Sequence, residues 1–143
     1  MKHLLPVFFI LLLTACKSSD VVSAVSFADA KGYFFKNNQP NPVNPVVIQS
    51  QEQLEKQFGY ATTMDSRPTS VDFSKQAVIA IVLPETDRAT EVKIKSIVPD
   101  ANARLVVKYH VSVGKQQGYT IQPMAMVVVD KSSLKSNVVA VAE

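Results

Sequence analysis

Cysteine occurs once in this chain of 143 residues, tryptophan not at all and histidine twice. With its single thiol at Cys16, close to the start, the rest of the chain can hold neither a disulfide nor a thiolate metal site. Only His110 lies beyond the first few residues, so a metal site built from clustered histidines is excluded as well. The absence of tryptophan disfavours a sugar-stacking surface. No apolar run reaches the roughly twenty residues that a spanning helix needs. Basic residues outnumber acidic ones by only 15 to 12 and are scattered, apart from Lys93 and Lys95 in the stretch VKIK, so an electrostatic footprint for nucleic acid is missing.

The start of the chain is more informative. Lys2 and His3 precede an apolar stretch from Leu4 to Leu13, and the small residues Thr14 and Ala15 follow, which is the layout of a secretory signal. Leu13-Thr14-Ala15-Cys16 resembles a bacterial lipobox, in which the cysteine sulfur receives diacylglycerol and the chain is cut just before it. Cys16 is then the mature first residue, and two or three acyl chains, at about 0.8 kcal/mol per buried methylene, hold the protein at a membrane surface. Lys17 stands where sorted lipoproteins of double-membraned bacteria carry Asp for inner-membrane retention, which points to the outer membrane. Both its periplasmic and its external face remain open, since Asp20 is compatible with surface export. Loss of residues 1–15 leaves 128, enough for one domain with its own core, and the charges then stand at 14 basic against 12 acidic.

The expected organisation is a signal peptide over 1–15, a lipidated tether over 16–26 and a single β-rich domain over 27–143. Gly32-Tyr33-Phe34-Phe35 suits a first strand. NNQPNPVNP, residues 37–45, holds three prolines and four asparagines, which excludes helix and central strand and favours extended, exposed backbone. A short strand at Val46 to Ile48 leads to a helix with Ser50 as cap and Gln53 completing a capping box, Leu54 and Phe58 on one apolar face, and Gly59 as the left-handed residue past its end. YATTMDSRPTS, residues 60–70, is a polar connection. Ala77 to Leu83 is continuously apolar and closed by Pro84, the mark of a strand buried on both faces. EVKIKSIV alternates Val92 and Ile94 against charged neighbours, and RLVVKYHVSV alternates Leu105, Val107, Tyr109, Val111 and Val113 on one face against Val106, Lys108, His110 and Ser112 on the other. PDANA, residues 99–103, is the hairpin turn between them; GKQQG, residues 114–118, reads as another turn, followed by YTIQP, MAMVVVDK and NVVAVAE. The pattern predicts an α+β fold: a mainly antiparallel β sheet, or a partly open barrel, packed on one short helix.

Chemistry-bearing residues are few. His110 shares the polar face of its strand with Lys108 and Ser112, the setting of a solvated histidine rather than a general base. Asp65, Asp72, Glu85, Asp87, Glu91, Asp100 and Asp130 sit mostly at strand ends and turns, where capping and turn geometry already favour them. A paired-carboxylate hydrolase would have to be assembled from Glu85, Asp87 and Glu91. Gly114 and Gly118 lack the spacing and the Lys-Ser/Thr pair of a phosphate loop. No catalytic residue, cofactor, metal or small-molecule substrate is expected.

From Val46 to Lys131, a strand with a capped helix, a Val-Asp-Phe-Ser lead-in at 71–74 to a buried strand, two alternating strands, and Pro123 before a valine-rich strand follow one another in an order that resembles the C-terminal domain family named for PrcB, a lipoprotein subunit of a bacterial protease complex. The resemblance implies a domain that associates with a protease and stabilises or restrains it without catalysis. PETDRAT stands here where that family has a glycine-rich turn, so contacts of that turn do not carry over. In size and address the chain is also similar to potempin-type protease-inhibitor lipoproteins. A protease ligand needs an exposed segment held extended, and two stretches qualify. The first is Pro84, Glu85, Thr86, Asp87, Arg88 and Ala89, expected to project as a loop from the most rigid strand with Arg88 as a pocket-filling side chain. The second is Pro40, Asn41, Pro42 and Val43. The expected function is a non-catalytic, lipid-anchored envelope protein that binds a protease and inhibits or regulates it; the alternative is a structural or assembly lipoprotein that offers a sheet edge or the Pro/Asn loop to an outer-membrane partner.

Overall fold

A computed structural model describes residues 23–64, 66–135 and 137–143; the signal segment 1–15, Cys16 and the tether as far as residue 22 lie outside the described residues. In chain order the elements are β1 (Phe27–Asp29), β2 (Tyr33–Phe35), β3 (Val46–Ile48), α1 (Gln51–Gln57), β4 (Phe58–Tyr60), β5 (Gln76–Val82), β6 (Thr86–Pro99), β7 (Leu105–Ile121), β8 (Met124–Asp130), a 3-10 turn (Lys131–Ser133) and β9 (Val138–Ala142). The fold is mostly antiparallel sheet with one short helix, and no closed barrel forms among the described residues.

Three layers result from the side-chain alternation of β5 and β8. A four-stranded sheet in the order β1-β8-β5-β3 lies in the middle. Val78, Ala80 and Val82 of β5, with Met126 and Val128 of β8, face Leu54 of α1 and the aromatic pair Phe35 and Phe58 from the small β2-β4 sheet. On the opposite face Ala77, Ile79 and Ile81, with Val127 and Val129, meet Val92, Ile94, Ile97, Leu105 and Val107 of the β6-β7-β9 sheet. Because β5 is covered on both sides it needs no polar face, which is why its sequence does not alternate. Ile48, Ile79, Ile81 and Ile97 are wholly out of solvent, each contributing about 1.5–3 kcal/mol of burial. Val25, at the end of the expected tether, joins this second core and donates its N–H to the Ile97 carbonyl at 2.8 Å. β9 pairs with β7 in parallel, the one exception to the antiparallel pattern among the described residues.

The helix start follows its sequence signal. Gln53 donates its N–H to Ser50 Oγ at 3.2 Å, and Gln53 Oε1 accepts from the Gln49 N–H at 2.8 Å, one residue farther back than the usual box. Its end does not. Phe58 leaves the helix in extended conformation (φ −120°) and the chain passes straight into β4, so Gly59 is not a left-handed cap. Its lack of a side chain serves packing: a Cβ there would lie 2.3 Å from Phe34 Cζ, whose ring rests on the glycine across the β2-β4 pair.

GKQQG is likewise not a turn. The five residues run inside β7, and the pairing with β6 slips around them: Thr90 faces Val113, Arg88 faces Gln116 and Thr86 faces Ile121. Leu83 donates to the Pro123 carbonyl at 2.9 Å, so the β5-β8 ribbon continues through Leu83 and Pro123 into the β6-β7 ribbon and folds over to make the second sheet. The bulges take up the bend. Gly114 is required at this corner because a Cβ would come within 2.9 Å of the Ala89 carbonyl oxygen.

PDANA does form the expected turn. Asp100 Oδ1 accepts from the N–H groups of Asn102 and Arg104, both at 2.9 Å, and Ala103 takes the left-handed conformation at φ 57°.

Candidate functional site

The end of β5 organises one extremity of the domain. Val82 is 1% exposed and has no strand partner on its β3 side, since β3 pairs only as far as Ala80 opposite Val46. The side chain of Asn44 takes that place. Its Nδ2 donates to the Val82 carbonyl at 2.7 Å and its Oδ1 accepts from the Val82 N–H at 2.9 Å, so one amide side chain continues the ladder where the backbone has turned away. Two further amides fix the preceding loop: Gln39 Nε2 donates to the Lys56 carbonyl at 2.8 Å, and Gln122 Nε2 donates to Asn41 Oδ1 at 3.2 Å. Six of the seven residues from Gln39 to Pro45 are proline or precede one, which confines their backbone before any contact is made. The stretch from Pro40 to Val43 is free of helix, strand or turn.

This loop and the start of the other candidate segment meet. A cleft of about 550 Å³ has Asn38 to Asn41 on one side and Pro84, Glu85 and Gln122 on the other. A second hollow of about 430 Å³ lies on the far flank of the loop, against Phe35, Val47, Lys56 and Gln57. The residues from Gln39 to Asn41 line both depressions and so form a ridge between them, with Val43 at 91% exposure two residues on.

The expected loop from Pro84 to Ala89 is a loop only at its first two residues. Thr86 to Ala89 belong to β6, held by pairing with β7 across the bulges, because the strand ladder outweighs the weak local preference of TDRA for extended structure. Arg88 is exposed on that strand opposite Gln116, its N–H bonded to Thr86 Oγ1 at 3.2 Å, and it does not line the cleft.

Glu85, Asp87 and Glu91 do not share a cavity. Glu85 lines the cleft just described, Glu91 lines a groove beside Lys93, and Asp87 accepts from Gln116 Nε2 at 2.7 Å. His110 is exposed, its Nδ1 2.9 Å from the Glu143 carbonyl oxygen, while Lys108 pairs with the Glu143 carboxylate at 2.8 Å. Among the described residues no group of three or more His, Cys, Asp or Glu is placed to hold a metal ion. Hydrogen bonds from Ser74 lower the pKa of Asp72, those from Arg104 lower that of Asp100, and burial raises that of Tyr33. All three are engaged in turns or packing, and none of them lines the cleft.

Asn44 and Gln122 were not among the candidate residues read from sequence. The signal available for Asn44 is its place directly before Pro45 and the buried strand; for Gln122 there is none, since its partner Asn41 is 81 residues away. No helix among the described residues is long and apolar enough to cross a membrane. The chain matches no family model, no curated protein and no solved structure with which it was compared.

Proposed function

We propose that this chain is a non-catalytic, lipid-anchored protein of the bacterial cell envelope, in the outer membrane, that binds a protease and inhibits or regulates it. The observation that carries the reading is convergence: the Pro/Asn loop and the Pro84-Glu85 connection border one cleft although Asn41 and Pro84 are 43 residues apart in sequence. A surface stiffened by three prolines and three amide clasps loses little conformational freedom on docking, which is what a protein ligand for an enzyme cleft requires. The PrcB-type resemblance supplies the class of partner.

The point at which the chain enters the domain is compatible with this use. Val25 reaches the domain at Ile97, near one end of β6, whereas the cleft adjoins Thr86 at the other. Eleven strand steps separate those residues, up to roughly 36 Å at 3.3 Å each, so the chain enters the domain at a distance from the cleft. A structural or assembly lipoprotein is the second reading, favoured by the outer edge of β6, which borders a groove of about 430 Å³ towards Met124 to Val127. Lys93 on that edge is the kind of charge that discourages strand addition.

The test is capture from membrane and secreted fractions of the parent cell with the detergent-extracted chain as bait, together with titration into proteases of each mechanistic class. Stoichiometric inhibition, or capture of a protease that stays active, supports the reading as inhibitor or accessory subunit respectively. Capture of envelope proteins without any protease refutes it in favour of the assembly role.

A further inference from the structure

Val43 has the surroundings of a presented side chain. It is an aliphatic residue at 91% exposure, and the backbone on either side of it is fixed. Upstream, Asn41 is held by Gln122 at 3.2 Å, with Pro40 and Pro42 limiting the chain. Downstream, Asn44 is fixed to both backbone groups of Val82, at 2.7 and 2.9 Å, on the most buried strand of the domain. Within Gln39 to Pro45, Val43 is the one residue that is neither proline nor followed by one, so its backbone alone is left unrestricted by proline. Met64 is at least as exposed, but the hydrogen bonds nearest to it, between Thr63 and Ser66, stay within its own loop, whose links to the rest of the domain lie farther off at Ala61 and Thr69.

We infer that Val43 is the anchor of the partner interface, inserted into a pocket of the partner protease that accepts a small aliphatic side chain. This rests on the protease-binding reading and replaces Arg88 as the specificity residue. An apolar side chain left in water by a segment already ordered gains its full burial on docking, with little further loss of freedom. Its branched, three-carbon shape fits a shallow apolar pocket, of the type found in elastase-like enzymes, and leaves unpaired the carboxylate of a pocket built for lysine or arginine. Pro40, between the two hollows, and Pro42, on the rim of one, flank it on the upstream side.

The experiment compares the detergent-extracted full chain with Val43→Asp, Val43→Lys and Arg88→Ala against an elastase-type, a trypsin-type and a chymotrypsin-type serine protease, a thermolysin-type metalloprotease, and any protease captured from the parent cell. Because Val43 is exposed, all variants are expected to keep the wild-type circular dichroism and thermal midpoint. The expected result is a loss of at least about 30-fold in affinity for the responding protease with Val43→Asp, the mark of a dominant interface contact, and no loss with Arg88→Ala. Val43→Lys is expected to transfer inhibition to the trypsin-type enzyme, a change of specificity that a merely structural role would not produce. A protease that is captured or inhibited equally by wild type and Val43→Asp overturns the anchor and leaves the protease-binding reading standing. Rapid cleavage of the chain after Val43 also overturns it, since the loop would then be a substrate. If no variant binds or inhibits any protease, both fall.

Discussion

Replacing Asn44 by Ala should cost more than any other single change in the exposed Pro/Asn loop. The side chain supplies both hydrogen bonds of Val82, whose residue is 1% exposed, and truncation leaves a buried N–H and a buried C=O without partners. Each unmade bond of that kind costs about 1–3 kcal/mol, and partial access of water through the space vacated by the half-buried asparagine brings the sum to about 2–4 kcal/mol. With a urea dependence of about 2 kcal/mol per molar, the middle of the range for small domains, the unfolding midpoint should fall by roughly 1–2 M. Amide exchange should locate the effect, with the Val82 N–H losing protection before its neighbours in β5. Asn44→Asp sharpens the test. Its carboxylate can still accept from the Val82 N–H, but its second oxygen faces the Val82 carbonyl, so the charged form is disfavoured and its pKa rises on folding. A carboxyl whose folded pKa lies above the unfolded value of about 4 contributes most below that value, so this variant should approach wild type in acid and fall away as the pH rises through the folded pKa. A loss below about 0.5 kcal/mol for Asn44→Ala, with Val82 protection unchanged, would refute the view that this amide completes the sheet.

Ile79→Ala, at a position wholly out of solvent between the middle sheet and the β6-β7-β9 sheet, should destabilise by about 2–5 kcal/mol in equilibrium denaturation. Gly114→Ala should lower the thermal midpoint by forcing the Ala89 carbonyl aside at the sheet corner, whereas Gly118→Ala, which meets nothing within 4 Å, should leave it nearly unchanged. Asp100 is held below the usual carboxylate range, chiefly by hydrogen bonds from Arg104, so its contribution is present above the unfolded pKa of about 4 and disappears as the pH falls through the lower folded value. Asp100→Asn should therefore flatten the acid limb of the stability curve below about pH 4, measured by thermal unfolding at a series of pH values.

The two sheets that pack on each other are two parts of one bent ribbon, and this has a bearing on the site. Pro84, Glu85 and Gln122 lie where the ribbon passes from β5 and β8 into β6 and β7, and the Pro/Asn loop is fastened to the same place by Asn44 and Asn41. The cleft is thus lined by connecting segments that are fastened to the most deeply packed strand, and a rigid base of that kind keeps a binding surface in register. In contrast, the carboxylates considered for hydrolysis are spread along a strand and two different hollows, with no arrangement that would bring two of them to one bond.

What could be read from the residues alone is what depends on neighbours in sequence. The capped start of α1, the unbroken apolar run of β5, the alternation at Val92 and Ile94 and the PDANA turn each rest on contacts within a few residues, and each is found in the structure. Segments whose local signals are weak were decided by partners far away. PETDRAT and GKQQG carry proline, glycine and charge, which spell turns locally, yet most of their residues are strand because the β6-β7 ladder holds them and bulges absorb the mismatch. Gly59 follows a helix as a cap would, yet the ring of Phe34, 25 residues earlier, gives it another use. The amide ladder of Asn44 on Val82 and the meeting of the two candidate segments exist only once β5 is buried, since only burial makes an unpaired backbone group costly enough to require a side-chain partner. Sequence therefore specified the elements through short-range propensity and patterning, while tertiary burial determined which polar groups had to be paired, and by that requirement placed the candidate site.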